Sequence, residues 1–260
     1  MNKERGLVDV VVPVFNGRAT IEAALLSALA QDGDLLNEII VVDDGSTDGG
    51  ADVVAAMGSD KIRLFSTSNH GVASARNLGI ERSIAEWIAF LDADDLWEKD
   101  KLKIQIQAAA DTGSGFICGT VNGQPIGRSR PISAFSLWRG NFVATSSVLV
   151  KREILQQTVP VFRAGMSFAE DYLAWLKCLT LTPGYYVSDN VATYILSTRP
   201  RYDWGLILNN LVKLNIAFTI FVWHTHSALA KKILLPASLL AGSMISIFSI
   251  AKRFLRSRHA

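Results

Sequence analysis

Trp87-Ile-Ala-Phe-Leu-Asp92-Ala-Asp94-Asp95 is the stretch that decides the fold of this 260-residue chain. Trp87 to Leu91 is an apolar run of strand length, and a buried strand tolerates carboxylates only at its mouth. Asp92 and Asp94 at that mouth repel one another unless a cation sits between them. Oxygen-only ligands suit Mg²⁺ or Mn²⁺, and Mg²⁺ ordinarily shares its shell with substrate phosphates. The stretch therefore points to chemistry on a diphosphate at the end of a strand.

The same grammar recurs upstream. Val8 to Val14 is apolar and β-branched and closes on Asn16-Gly17, a turn signal. Ala19 to Gln31 has helical spacing through Ile21, Leu25, Ala28 and Leu29. Glu38 to Val42 predicts a second strand, followed by Asp43-Asp44-Gly-Ser-Thr-Asp48. Ala51 to Met57 suits a short helix, Ile62 to Ser66 a third strand, Gly71 to Arg82 a helix, and Trp87 to Leu91 the fourth strand. This alternation predicts an α/β fold with a mostly parallel sheet and helices on both faces. Ligands in such folds bind outside the carboxyl ends of strands, where both acidic clusters fall. Beyond Asp100 the regularity loosens: Lys101 to Ala110 reads as helix, Gly119 to Pro131 as loop, Val143 to Val150 as strand. A further helix opens at Phe168-Ala-Glu170-Asp171.

Composition narrows the function classes. A net charge of +2 without a long basic run in the first two hundred residues gives no footprint for nucleic acid. Cys118 and Cys178 lack CxxC spacing and read as reduced core residues. The start leads directly into a strand, without the pattern of a signal peptide. Mean hydropathy is +0.24, much of it from the C-terminal portion.

Each cluster has a bland reading. Asp, Ser and Thr after a strand form turns and caps, and Asp48 fits that role at the next helix. An Asp directly after a buried strand, as at Asp43, can instead accept hydrogen bonds from a base or ribose. Phosphatases of the haloacid-dehalogenase type also place DxD after a strand, but they need a small hydroxyl residue where Leu96 stands. Arg76 is either a solvated charge or, on a helix starting after the third strand, a reach toward phosphate or ribose oxygens. Glu170 and Asp171 are either first-turn acids or a general base for a hydroxyl nucleophile. The rings of His224 and His226 diverge at spacing two on a helix and read as interfacial or incidental, and His70 is a weak candidate for a substrate contact.

Taken in order, Val12-Pro13-Val14-Phe15-Asn16, Ile39 to Asp48, Gly71-Val-Ala-Ser-Ala-Arg76-Asn77-Leu-Gly79-Ile, Leu91 to Trp97 and Glu170-Asp171 resemble the family 2 glycosyltransferases of GT-A fold. The resemblance covers roughly Val8 to Leu181. It implies inverting transfer of a sugar from a nucleotide diphosphate, by default a UDP-hexose, to a hydroxyl, with a Mn²⁺ or Mg²⁺ cofactor. By position, Asp43 and Asp44 with Pro13, Phe15 and Asn16 would bind the nucleotide, and Arg76 would help hold it. Asp92 would contact ribose or metal, Asp94 would hold the metal, and Asp171 would be the base with Glu170 supporting it. The Q/RxxRW motif of processive synthases is missing, so one sugar per encounter is expected. A metal-dependent nucleotidyl- or phosphoryl-transfer enzyme is the alternative, and it would leave Glu170 and Asp171 unemployed.

Residues 1–200 would form the catalytic domain and 201–260 a helical, membrane-associated segment. Ile233 to Ile250 is uncharged between Lys231-Lys232 and Lys252-Arg253, but at about 18 residues it is at the lower limit for a span. Ser238, Gly242, Ser246, Ser249, Arg253 and Arg256 share one helical face, and Leu240, Met244, Ile247, Phe248 and Leu255 the opposite one. That pattern suits a helix lying in the membrane interface on the cytoplasmic side, bringing the site to a lipid-linked or glycan acceptor. Leu206 to Trp223 would be its companion.

Overall fold

The computed structural model of the chain describes residues 6–164 and 170–195. The strands are β1 (Val8–Val14), β2 (Leu36–Asp43), β3 (Ile62–Ser66), β4 (Trp87–Phe90), β5 (Asp95–Trp97), β6 (Phe116–Val121), β7 (Arg130–Ile132), β8 (Leu149–Lys151) and β9 (Gly184–Tyr194). The helices are α1 (Ile21–Leu29), α2 (Gly50–Ala56), α3 (Val72–Arg82), α4 (Lys101–Thr112), α5 (Ala134–Trp138), α6 (Arg152–Gln156) and α7 (Glu170–Leu181). All strands join one sheet in the order β3-β2-β1-β4-β8-β6-β9-β5, with β7 also on β9. β3, β2, β1 and β4 are parallel, as the alternation predicts. The other half mixes directions: β8 is antiparallel to β4 and β6, β9 runs parallel to β6, and β5 and β7 run antiparallel to β9.

β1 is buried along its whole length, because both faces of the parallel half are covered. Val10 and Val12 face a core shared with Ile21, Leu25 and Leu102 of α1 and α4. Val11 faces the opposite core, with Ala73 and Ile80 of α3 and Trp175 of α7. Gly79 allows α3 to lie against the sheet, since a Cβ there would stand 2.4 Å from Val11 Cγ1. On the α7 side, Trp175 packs at 5.4–5.7 Å against the rings of Phe90, Phe116 and Phe162. α7 is thereby seated beside the carboxyl end of β4, with its first turn next to the acidic turn.

Two buried charges are absent from the sequence expectations. Asp9, the second residue of β1, is 0% exposed and accepts from Asn37 Nδ2, Ser83 Oγ and the backbone N–H groups of Ile84 and Ala85 at 2.6–2.8 Å. It clamps the turn between α3 and β4. Asp9→Ala strands those donors, so a loss of about 3–5 kcal/mol is expected in urea unfolding. Lys101 is also 0% exposed; it donates to Gln105 Oε1 and lies 4.4 Å from the Trp97 ring centroid. Burial pushes its amine down to about 7. The unfolded chain therefore binds one proton more between about pH 7 and its ordinary value, so the cost of burying Lys101 is greatest below pH 7 and fades as pH rises. Lys101→Met should accordingly gain stability relative to the parent at acid pH, and lose that advantage toward about pH 10, in paired denaturation curves.

Two expectations change, and one strand was not anticipated. Gly119 to Pro131 is not all loop, because Gly119–Val121 belongs to β6 and Arg130–Ile132 forms β7. Gly119 lets β9 pass close, as a Cβ there would meet Val191 Cγ2 at 2.7 Å. Val143 to Val150 is a strand only from Leu149; Thr145–Ser147 forms a 3₁₀ turn, with Ser147 Oγ donating to Ala144 O at 2.7 Å. β9 carried no expectation, since its register shift near Thr120 and polar Ser188-Asp-Asn190 break its alternation. Phe168, Leu206 to Trp223, His224, His226 and Ile233 to Ile250 lie outside the described residues, as does the proposed second segment 201–260. Among the described residues no helix is long and apolar enough to cross a membrane.

Candidate active site

The carboxyl ends of β1, β2 and β4 meet in one region. Asn16, after β1, takes a left-handed conformation with φ 52°. Its side-chain oxygen accepts from Thr47 N at 2.9 Å, and its own N–H donates to Ser46 Oγ at 2.9 Å. Asp48 adds a second latch, accepting from Arg18 N at 2.8 Å and Gly50 N at 2.9 Å. It accepts the first N–H of α2, whose N-cap is Gly49, and also ties the two loops together. These backbone hydrogen bonds, Arg18's first, hold the Asp48 carboxyl below its ordinary value.

Asp43 and Asp44 are both buried, yet they face different tasks. Asp43 Oδ1 accepts from Ser46 N at 3.0 Å, and Oδ2 makes no hydrogen bond among the described residues. Asp44 is committed to the protein: it accepts from Thr67 Oγ1, His70 N and Gly71 N at 2.7–2.9 Å, fixing the entry to α3. These three hydrogen bonds give Asp44 a loop-holding role. His70 donates through its backbone and pairs with Ser68 Oγ at 2.8 Å, outside the cleft described next.

A cleft of about 350 Å³ is lined by Pro13, Phe15, Asn16, Arg76, Asp92 and Asp94 among others. Six of the sequence-selected residues thus share one concave surface. Phe15 is 51% exposed, an open aromatic face at its rim. Asp94 is exposed and makes no hydrogen bond among the described residues, and Asp92 Oδ2 is likewise unbonded.

Arg76 is the hinge of the arrangement. It is 5% exposed and donates from Nη2 to Asp92 Oδ1 at 2.7 Å and from Nη1 to Glu170 Oε1 at 3.0 Å. Its guanidinium lies 5.4 Å from the Phe162 ring centroid, and its Nε finds no partner among the described residues. Burial alone would lower its pKa, but Asp92, Asp171 and Glu170 overcome that and raise it. Burial, then the charge of Asp171, raises Glu170 above the usual carboxylate value against the pull of Arg76. Asp171 Oδ2 accepts from Thr145 Oγ1 at 3.1 Å and Oδ1 from Tyr172 N at 2.7 Å. Each oxygen keeps a lone pair for another donor.

Ser146 is a positioning residue absent from the sequence expectations. Its hydroxyl donates to Asp95 and accepts from Asp92 N at 3.1 Å, while Trp97 Nε1 donates to Ser146 O at 2.8 Å. Burial, with the charges of Asp92 and Asp94 adding to it against the Ser146 hydrogen bond, pushes Asp95 up to about 7. The only signal for Ser146 was a Thr-Ser-Ser run, which says nothing of a partner 51 residues away.

A model of glycosyl transferase family 2 matches residues 9–150, which includes both acidic turns and Arg76. The chain belongs to glycosyltransferase family 2. An uncharacterised glycosyltransferase of Haemophilus influenzae is 32% identical over 184 residues, 66% of this chain and 72% of its own. An Escherichia coli protein named as a UDP-Glc:alpha-D-GlcNAc-diphosphoundecaprenol beta-1,3-glucosyltransferase is 29% identical over 182 residues, 66% of this chain and 70% of that one. A Rickettsia felis glycosyltransferase is 45% identical over 101 residues, but the match spans only 17% of its length. Staphylococcus aureus TarS 1-349 in complex with UDP-GlcNAc superposes with a TM-score of 0.70 at 18% identity, covering 90% of this chain and 72% of that one, a likeness of fold. Membership makes the protein a glycosyl-transferring enzyme of GT-A fold and displaces the phosphoryl-transfer alternative.

Proposed function

We propose that this glycosyltransferase moves a hexose from a UDP-sugar to a hydroxyl of a lipid-linked glycan, with inversion and one sugar per encounter, in surface polysaccharide synthesis. The observation that carries the reading is the Arg76 bridge, which ties the Asp92 wall of the cleft to the helix bearing Asp171. A nucleotide diphosphate site and a carboxylate base are thereby held as one unit.

On this reading the uridine lies against Pro13, Phe15 and Asn16. Asp43 Oδ2, free of other hydrogen bonds, accepts the imide N–H of the base. The unengaged oxygens of Asp94 and Asp92 suit a hard divalent cation, although among the described residues no three acidic, His or Cys groups converge into a full metal cage. A two-carboxylate set fits a cation that completes its shell with phosphate oxygens, and the chemistry it supplies is neutralisation of charge on the leaving diphosphate. Asp171 removes the proton from the acceptor hydroxyl. That oxygen bonds to C1 as the bond from C1 to the diphosphate breaks on the opposite side, inverting the configuration. Glu170, paired with Arg76, keeps the start of α7 in register with the cleft. Supporting a lipid-linked acceptor are the name of the Escherichia coli relative and the amphipathic pattern of 233–250, which suits attachment to the inner face of the membrane.

The test is a panel of nucleotide sugars with Mg²⁺ or Mn²⁺, read as nucleoside diphosphate release with and without a membrane lipid extract. Release from a UDP-hexose that rises with the extract, with sugar recovered in the lipid fraction, is expected. Sugar-independent release of phosphate or pyrophosphate would overturn the reading.

A further inference from the structure

A second cleft, about 780 Å³, is lined by residues that include Tyr194, Phe142 and Ala144, and it shares none of its lining with the cleft already described. Its volume lies within the about 300–1,000 Å³ usual for small-ligand pockets. Two features place it against the reacting groups. Ala144 lines it, and the next residue, Thr145, donates to Asp171. Tyr194 also lines it, and in the β5–β9 ladder Tyr194 stands opposite Asp95, next to the acidic turn.

The chemistry of its walls differs from that of the nucleotide cleft. None of its lining side chains is charged; Arg130 touches its aromatic rings but is not among the lining residues. Phe142, Tyr186 and Tyr194 supply aromatic surface, and Tyr194 is 37% exposed. The wall is preformed: Tyr186 Oη bonds Thr120 Oγ1 at 2.6 Å and accepts from Ile126 N at 3.0 Å, and Asn122 Oδ1 accepts from Tyr194 N at 2.7 Å. Gln124 and Asn141 also line the cleft, and their side-chain amides make no hydrogen bond among the described residues. Aromatic faces with free amides and no charge suit a ligand that is apolar on its C–H faces and rich in hydroxyls at its edge. A phosphate, an anionic sugar or a bare alkyl chain would use only part of that set.

We propose that this cleft is the acceptor subsite and takes an uncharged terminal pyranose, stacked on Tyr194 and Phe142 with its hydroxyls bonded to Gln124 and Asn141. This rests on Asp171 as the base of the proposed transfer, and it adds the class of acceptor. The ring then presents one hydroxyl toward Asp171 while the lipid-proximal part of the acceptor extends outward.

The test is ligand-observed saturation-transfer NMR on the full chain, with UDP and Mg²⁺ added to fill the nucleotide cleft. The probes are octyl β-D-glucopyranoside, octyl β-D-galactopyranoside and octyl β-D-glucuronide below their micelle concentrations. Saturation of the ring protons of a neutral glycoside is expected, weakened about ten-fold in affinity by Tyr194→Ala and by Gln124→Ala and retained in Tyr194→Phe. Gln124 is an exposed loop residue, so its variant keeps the test independent of folding losses at β9. Saturation confined to the octyl chain, equal binding of the glucuronide, or ring signals indifferent to both alanine variants would overturn the proposal. The readout is binding without turnover, so it fails or succeeds separately from the lipid-extract transfer assay.

Discussion

Asp171→Asn is expected to cut sugar transfer by about 10²–10⁴-fold, the usual worth of a positioned proton acceptor. The amide keeps the shape of the side chain: its oxygen still accepts from the Tyr172 N–H, and its NH2 group donates to the Thr145 hydroxyl once that hydroxyl turns to accept, so the first turn of α7 stays in place. What it loses is the ability to take up a proton. The loss should therefore fall on turnover with acceptor, while affinity for UDP stays close to the parent. Single-turnover transfer and UDP titration on the same preparation separate the two. Equal damage to both would mean that Asp171 supports the nucleotide cleft and not the acceptor hydroxyl.

Arg76→Met should be the most destabilising change near the site, at about 3–5 kcal/mol, because it leaves Asp92 and Glu170 without their buried counter-charge. The sign of its pH dependence follows from Glu170. Its carboxyl already lies above the ordinary value through burial, so its charged form costs stability as pH rises. Without Arg76 that cost grows, and the deficit of the variant should widen from about pH 5 to about pH 8 in denaturation curves. Arg76→Lys should recover only part of the loss, since a single ammonium cannot span Asp92 and Glu170 as the guanidinium fork does. A deficit that is flat with pH would show that Arg76 acts by packing on Phe162 and not by charge.

Arg76 also shows where the sequence stopped being legible. Its helix and its place beside the cleft follow from the strand–helix alternation. Its partner Glu170 lies 94 residues away, and no local period reports such a pairing. Asp43 and Asp44 were adjacent and equivalent in sequence. Only the loop before α3, folding back onto Asp44, shows that three protein donors meet one of them while the other keeps a free oxygen. The parallel half of the sheet was legible because buried strands there are continuous apolar runs ending in turn residues. In the other half, β8 is three residues long behind a 3₁₀ turn and β9 carries a polar bulge, so hydrophobic pattern alone could not find their pairings.

The division of labour between the two acidic ends is tested most directly by titrating UDP, in the presence of Mg²⁺, into the full chain, Asp94→Asn and Asp171→Asn. The account predicts that Asp94→Asn weakens UDP binding by about ten-fold or more and loses its dependence on Mg²⁺, as removal of a ligand oxygen should. Asp171→Asn should bind UDP as the parent does. Parent-like, Mg²⁺-dependent binding in Asp94→Asn would contradict the account, as would a matching loss in Asp171→Asn.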